Sequence, residues 1–63
     1  MKTKLKEIRE VQYSFTLKEF SEMLKCSPSY LCEIENGIKF PSMKKLESFS
    51  KILGIPVKRL IKS

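Results

Sequence analysis

The stretch "CSPSYLCEIENG", Cys26 to Gly37, holds both of the chain's thiols and two of its seven carboxylates. Two thiols, Cys26 and Cys32, lie six residues apart, and two carboxylates, Glu33 and Glu35, follow. That spacing matches neither a redox CxxC pair nor a disulfide framework. The chain has no histidine, and two cysteines are too few for a four-ligand zinc site. There is no glycine-rich phosphate loop and no clustered acid pair, so the sequence predicts no catalytic residue, no metal, no cofactor and no enzyme. Cys32 at a helix surface can be a thiol sensor, but the neighbouring Glu33 disfavours a thiolate there.

Charge is the stronger chemical signal. Thirteen Lys and Arg against seven Asp and Glu give a net charge of +6, with a pI near 9.6. Such a balance fits a polyanionic partner, against the plainer alternative that a small domain is basic for solubility. The lysines are scattered rather than gathered on one amphipathic helix, which disfavours a membrane surface. Lys44 and Lys45 lie two and three residues after Ser42, where a helix is expected to begin. Cations at that end oppose the helix dipole, and their presence makes more sense if a phosphate lies between them and the helix. Lys39 stands just before them. Around Thr16 to Lys18 a second helix start offers open amides, again suited to an anion. Tyr30 can reach a phosphate or pack over the neighbouring loop. For all these lysines the alternative is a solvated, solubilising face.

Five short helices must position these groups. Leu5, Ile8 and Val11 or Gln12 recur at helical spacing and predict a first helix over roughly residues 3–12. "YSF" interrupts it. "TLKE" then forms a capping box, Thr16 with Glu19, ahead of Leu17, Phe20, Ser21 and Leu24 on one face of a second helix. "KCS" breaks the pattern. Ser27 caps a third helix with Pro28 at its first position, Leu31 and Ile34 on its apolar face, and Gly37 at its end. Ser42 caps a fourth, with Leu46, Phe49, Ser50 and Leu53 on one face, closed by Gly54. "IPVKRLIK" offers a fifth, whose Val57, Leu60 and Ile61 either supply a dimer contact or close the core. No strand alternation competes. The longest apolar run, "ILGIPV", is far too short to span a bilayer. The start, Met-Lys-Thr-Lys-Leu-Lys, lacks the apolar core of a signal peptide. A single all-α domain over 1–63, cytoplasmic with reduced thiols, is the expectation.

Helices two and three, joined by a three-residue break with the small Ser21 where they cross, have the helix-turn-helix arrangement. "TLKEFSEMLKCSPSYLCEIENG", followed by "FPS" and a helix ending "ILGI", resembles the helix-turn-helix family of phage repressors and Cro proteins, the XRE type. The resemblance runs from about Leu5 to Ile61. It implies a compact five-helix fold of the phage-repressor type and binding to double-stranded DNA, as a dimer on a palindromic operator, with helix three in the major groove. It points Pro28, Ser29, Cys32 and Glu33 at base edges. This set is poor in donors: Pro28 offers only apolar contact, as with a thymine methyl, and Glu33 either accepts from cytosine N4 or is a solvated charge. Phosphate contacts would come from Thr16, Leu17, Lys18, Tyr30, Asn36, Lys39, Ser42, Lys44 and Lys45. At Leu17 the family often has a glutamine, so there only the backbone remains. The family pairs the glutamate at Glu35 with an arginine on helix one, and Arg9 is the candidate; the alternative is a solvated Arg9. Between Arg9 and Thr16 this chain is one residue longer than the family pattern.

The resulting expectation is a sequence-specific transcriptional regulator, a repressor acting by occlusion. The other reading is an antitoxin or adaptor whose helix-turn-helix fold binds a protein partner, such as a toxin or polymerase. The donor-poor face suits that second reading.

Overall fold

A computed structural model describes residues 2–62. A two-residue strand β1 (Lys2–Thr3) leads into α1 (Leu5–Glu7), which continues directly as a π-helical segment (Ile8–Tyr13). Then come α2 (Leu17–Leu24), α3 (Pro28–Glu35), α4 (Met43–Leu53), α5 (Val57–Leu60) and a last strand β2 (Ile61–Lys62). The fold is the all-α, five-helix arrangement expected from the apolar periodicity.

Local chemistry sets the three central helix starts. At α2 both halves of the capping box are made: the Thr16 amide donates to Glu19 Oε1 at 2.8 Å, and the Glu19 amide donates to Thr16 Oγ1 at 3.1 Å. Ser27 Oγ accepts the Tyr30 amide at 3.1 Å, with Pro28 in the first position of α3. Ser42 Oγ accepts the Lys45 amide at 3.2 Å to open α4. Gly54 ends α4 with φ +69°, in the left-handed region where a side chain is strained.

The apolar stripes meet in one core. Leu5, Phe20, Leu31, Phe49 and Leu60 have no exposed surface, and Leu24, Ile34 and Leu46 are nearly as enclosed. Ser21 on α2 is also fully buried, and its hydroxyl donates to the Lys18 carbonyl at 2.8 Å, so the polar group is satisfied. Of the apolar residues expected in the last helix, Leu60 closes the core, while Val57 and Ile61 are half-buried against it. Leu60 is thereby withdrawn from any contact with a second copy.

The two ends depart from the helical expectation. The first helix begins at Leu5 rather than residue 3, because Thr3 pairs with Ile61 and Lys2 with Lys62 in a short antiparallel ribbon. The Lys4 amide donates to the Leu60 carbonyl at 2.8 Å, tying the chain's two ends together. Thr3 Oγ1 accepts the Leu5 amide at 3.4 Å, a further bond made before the helix starts. The fifth helix is correspondingly short, and Ile61 is extended at φ −102°, ψ 130°. A strand pair of two residues has no room for alternation, so periodicity could not signal it.

After α1 the chain keeps its helical course as far as Tyr13 instead of breaking. Ile8–Tyr13 winds as a π-helix. It stops at Ser14, left-handed at φ 53°, where the Ser14 and Phe15 amides both donate to the Arg9 carbonyl. Tyr13 is pinned by ring contacts to Phe15 and Phe20, with centroids 5.3 and 5.9 Å away.

Gly37 has φ +75°, and a Cβ there would lie 3.0 Å from the flexible Lys2 Cε, which can move. The backbone sets the cost of Gly37→Ala: about 1–2 kcal/mol for a left-handed alanine. A destabilisation of that size is expected to lower Tm by roughly 4–16 °C in a domain this small, read by thermal melting.

Candidate nucleic-acid interface

The outer face of α3 is fixed by what its inner face buries. Leu31 and Ile34 lock into the core, which turns Pro28 and Ser29 fully outward and leaves Cys32 and Glu33 half-exposed. These residues, together with Leu17 from the start of α2, line one open concavity. A second concavity lies between α3 and the start of α4, and Ser29, Tyr30, Glu33, Lys39, Ser42 and Lys45 are among its walls. The two share Ser29 and Glu33, so they form neighbouring halves of one surface.

Charges in the second concavity are already organised. Lys39 Nζ lies 3.3 Å from Glu33 Oε1, so the one carboxylate on the outer face of α3 is paired. The Tyr30 ring carries two ammonium groups near its centroid, Lys39 at 6.0 Å and Lys45 at 5.9 Å. Tyr30 therefore packs beneath the lysines. The sequence marks Glu33 and Lys39 as separate candidates; their pairing depends on the course of the α3–α4 loop, which has no local signal. Lys44 is exposed at the start of α4, and the Ser42 hydroxyl, accepting from Lys45, still has a proton to donate.

At α2 the capping box uses the amides of Thr16 and Glu19 and places the Glu19 carboxylate at that helix end. The Leu17 and Lys18 amides belong to the first turn, whose donors have no partner within the helix. Asn36 turns back on its own helix: its amide nitrogen donates to the Cys32 carbonyl at 2.9 Å and lies 3.3 Å from Cys32 Sγ. Both cysteines are free thiols. Burial pushes the Cys26 thiol up, with Lys45 acting in the opposite direction, which makes Cys26 a poorer nucleophile.

Behind this surface, Arg9 grips Glu35 with two bonds, Nε to Oε2 at 2.9 Å and the second terminal nitrogen to Oε1 at 3.0 Å. The first terminal nitrogen donates to the Phe15 carbonyl at 3.0 Å. The side chains are 13% and 5% exposed. The hydrogen bond to Glu35 raises the Arg9 pKa, outweighing the opposing effect of desolvation. Glu35 therefore faces the first helix and is neutralised there. The acidic helix in a basic chain carries two carboxylates, and each has a basic partner.

A helix pair with a capped, outward-facing second member, next to a basic helix start, defines a helix-turn-helix module. A family model described as "Helix-turn-helix" matches residues 5–60. The chain belongs to that family, in its Cro and phage-repressor (XRE) type, a family of DNA-binding transcriptional regulators. Neither the curated proteins nor the solved structures provide a match to it. Among the described residues no helix is long and apolar enough to cross a membrane.

Proposed function

We propose that the chain, acting as a single domain over 1–63, is a sequence-specific regulator that represses by occupying promoter DNA as a homodimer on a two-fold operator. The observation carrying this is the outward face of α3 beside Lys39, Lys44 and Lys45 in a chain of net charge +6. Pro28, Ser29, Cys32 and Glu33 meet base edges. The Leu17 and Lys18 amides, Lys39, Ser42, Lys44 and Lys45 hold phosphates, with Thr16, Tyr30 and Asn36 at the margin. Tyr30 acts by supporting the lysines rather than by its own contact. The Arg9–Glu35 pair fixes α3 against the first helix, so that the reading face and the phosphate contacts keep one geometry.

Fluorescence anisotropy tests this directly, with a duplex from upstream of the protein's own gene and a random duplex, each at two salt concentrations. Tighter binding to the upstream duplex that persists at higher salt is the expected result. Equal and steeply salt-sensitive binding to both would reduce the role to phosphate contact alone.

One observation favours a second reading, that of an antitoxin or adaptor. Ile38, Phe40 and Met43, in and just after the α3–α4 loop, are 70%, 41% and 60% exposed. Apolar residues so close in sequence and so exposed suit a protein partner. Failure to bind either duplex would favour it.

A further inference from the structure

We propose that the concavity formed by Leu17, Pro28, Ser29, Cys32 and Glu33 is a receptor for the C5-methyl group of a pyrimidine in the major groove. The inference rests on the DNA-binding reading and names what this face selects. Three of the five walls are apolar: an isobutyl group from the start of α2, a pyrrolidine ring at the start of α3, and a thiol one turn further on. Cys32 behaves here as a small hydrophobe, its sulfur already approached by the Asn36 amide at 3.3 Å. Two of the apolar walls have little freedom. Pro28 has no side-chain torsional freedom, and Leu17 is half-buried against the core.

Charge and continuity decide the occupant. The concavity shares Ser29 and Glu33 with the cleft that holds Lys39 and Lys45, so whatever enters it lies beside a polyanion's place. On the base edges of the major groove the apolar group is the pyrimidine C5-methyl. Thymine carries it, and so does 5-methylcytosine, whose N4 amine would in addition meet a carboxylate acceptor in Glu33. This assigns Leu17 a reading contact, where the sequence suggested only a backbone phosphate contact.

The test begins with a duplex recovered by the full chain from a random-sequence pool. Each thymine is then replaced singly by deoxyuridine, which removes only the methyl group, and binding is measured by anisotropy. At one base pair of a half-site the replacement is expected to weaken binding about fourfold, the effect of one buried methyl group. Cytosine and 5-methylcytosine at that position identify the source: binding tighter with 5-methylcytosine than with thymine would assign the site to the methylated base. The effect is expected to vanish in Leu17→Ala, giving a coupling between side chain and methyl. Cys32→Ser repeats the comparison without touching the core-packed wall, and is expected to shrink the difference. Equal binding of every deoxyuridine duplex would overturn the proposal while leaving DNA binding intact. Recovery of no duplex would overturn the DNA-binding reading and this proposal with it.

Discussion

Replacing Glu35 with alanine is expected to leave a large fraction of the molecules unfolded at room temperature. Arg9 would lose two charge-assisted bonds while remaining mostly enclosed at 13% exposure. Removing one partner of a buried pair commonly costs about 3–5 kcal/mol, mainly because the other charge stays desolvated. A domain of 63 residues has a total stability of roughly 3–9 kcal/mol, so the two quantities are of similar size. Arg9→Ala is expected to be at least as damaging, because it also strips the Phe15 carbonyl of its donor and leaves Glu35 at 5% exposure without a partner.

The double variant Arg9→Met, Glu35→Leu is expected to recover much of the stability, since it removes both charges together. Urea titrations followed by far-ultraviolet circular dichroism measure all three, and in the cycle closed by the double variant Arg9→Ala, Glu35→Ala additive effects would refute the pairing. Alkaline conditions are not expected to break it. Arg9 has a raised pKa, so wherever the Glu35 carboxylate is charged its contribution is fully present below arginine's ordinary value. It disappears only as pH rises through the raised one.

The second large effect concerns affinity. Changing Lys39, Lys44 and Lys45 together to alanine is expected to flatten the dependence of log K on log salt by about 2.7, at about 0.9 for each phosphate left without its lysine. Extrapolated from molar salt to 0.1 M, affinity falls on the order of a hundredfold or more. Lys39 should matter most. Its removal deletes a cation and also releases Glu33, which its ammonium now neutralises at 3.3 Å, as an unpaired anion facing the phosphates. Lys58→Ala, on α5 outside the cleft, removes the same formal charge and should change affinity only slightly. Anisotropy titrations across a salt series compare them, and a salt slope unchanged by the triple substitution would remove these lysines from the interface.

What the sequence made legible was local. Thr16 with Glu19, Ser27 with Pro28, Ser42, Gly37 and Gly54 mark helix ends through chemistry completed within a few residues, and the structure has helix ends at each. The stripes Leu17–Phe20–Ser21–Leu24, Leu31–Ile34 and Leu46–Phe49–Ser50–Leu53 follow one helical period, and all but Leu17 and Ser50, which are half-exposed, are buried. What stayed hidden depends on distant parts of the chain. Thr3 reads as helix until Ile61 arrives to pair with it. The π-helical turn of Ile8–Tyr13 has no periodic signal of its own, and the chain around it is anchored by Arg9 on Glu35 and by Thr16 in its capping box. Periodicity places Leu17 on the core stripe of α2, yet it is also a wall of the concavity on the face of α3, which becomes visible only once α2 and α3 are packed. Only the family resemblance links Arg9 to Glu35, since nothing in their separation of 26 positions announces a contact.

Amide chemical shifts during titration with duplex show whether the outer face of α3 and the start of α4 form the DNA-binding surface. The largest changes are predicted at Leu17, Lys18, Ser29 to Glu33, Lys39, Lys44 and Lys45. Changes confined to the separate concavity around Val11, Ile55 and Arg59, with α3 unmoved, would contradict it.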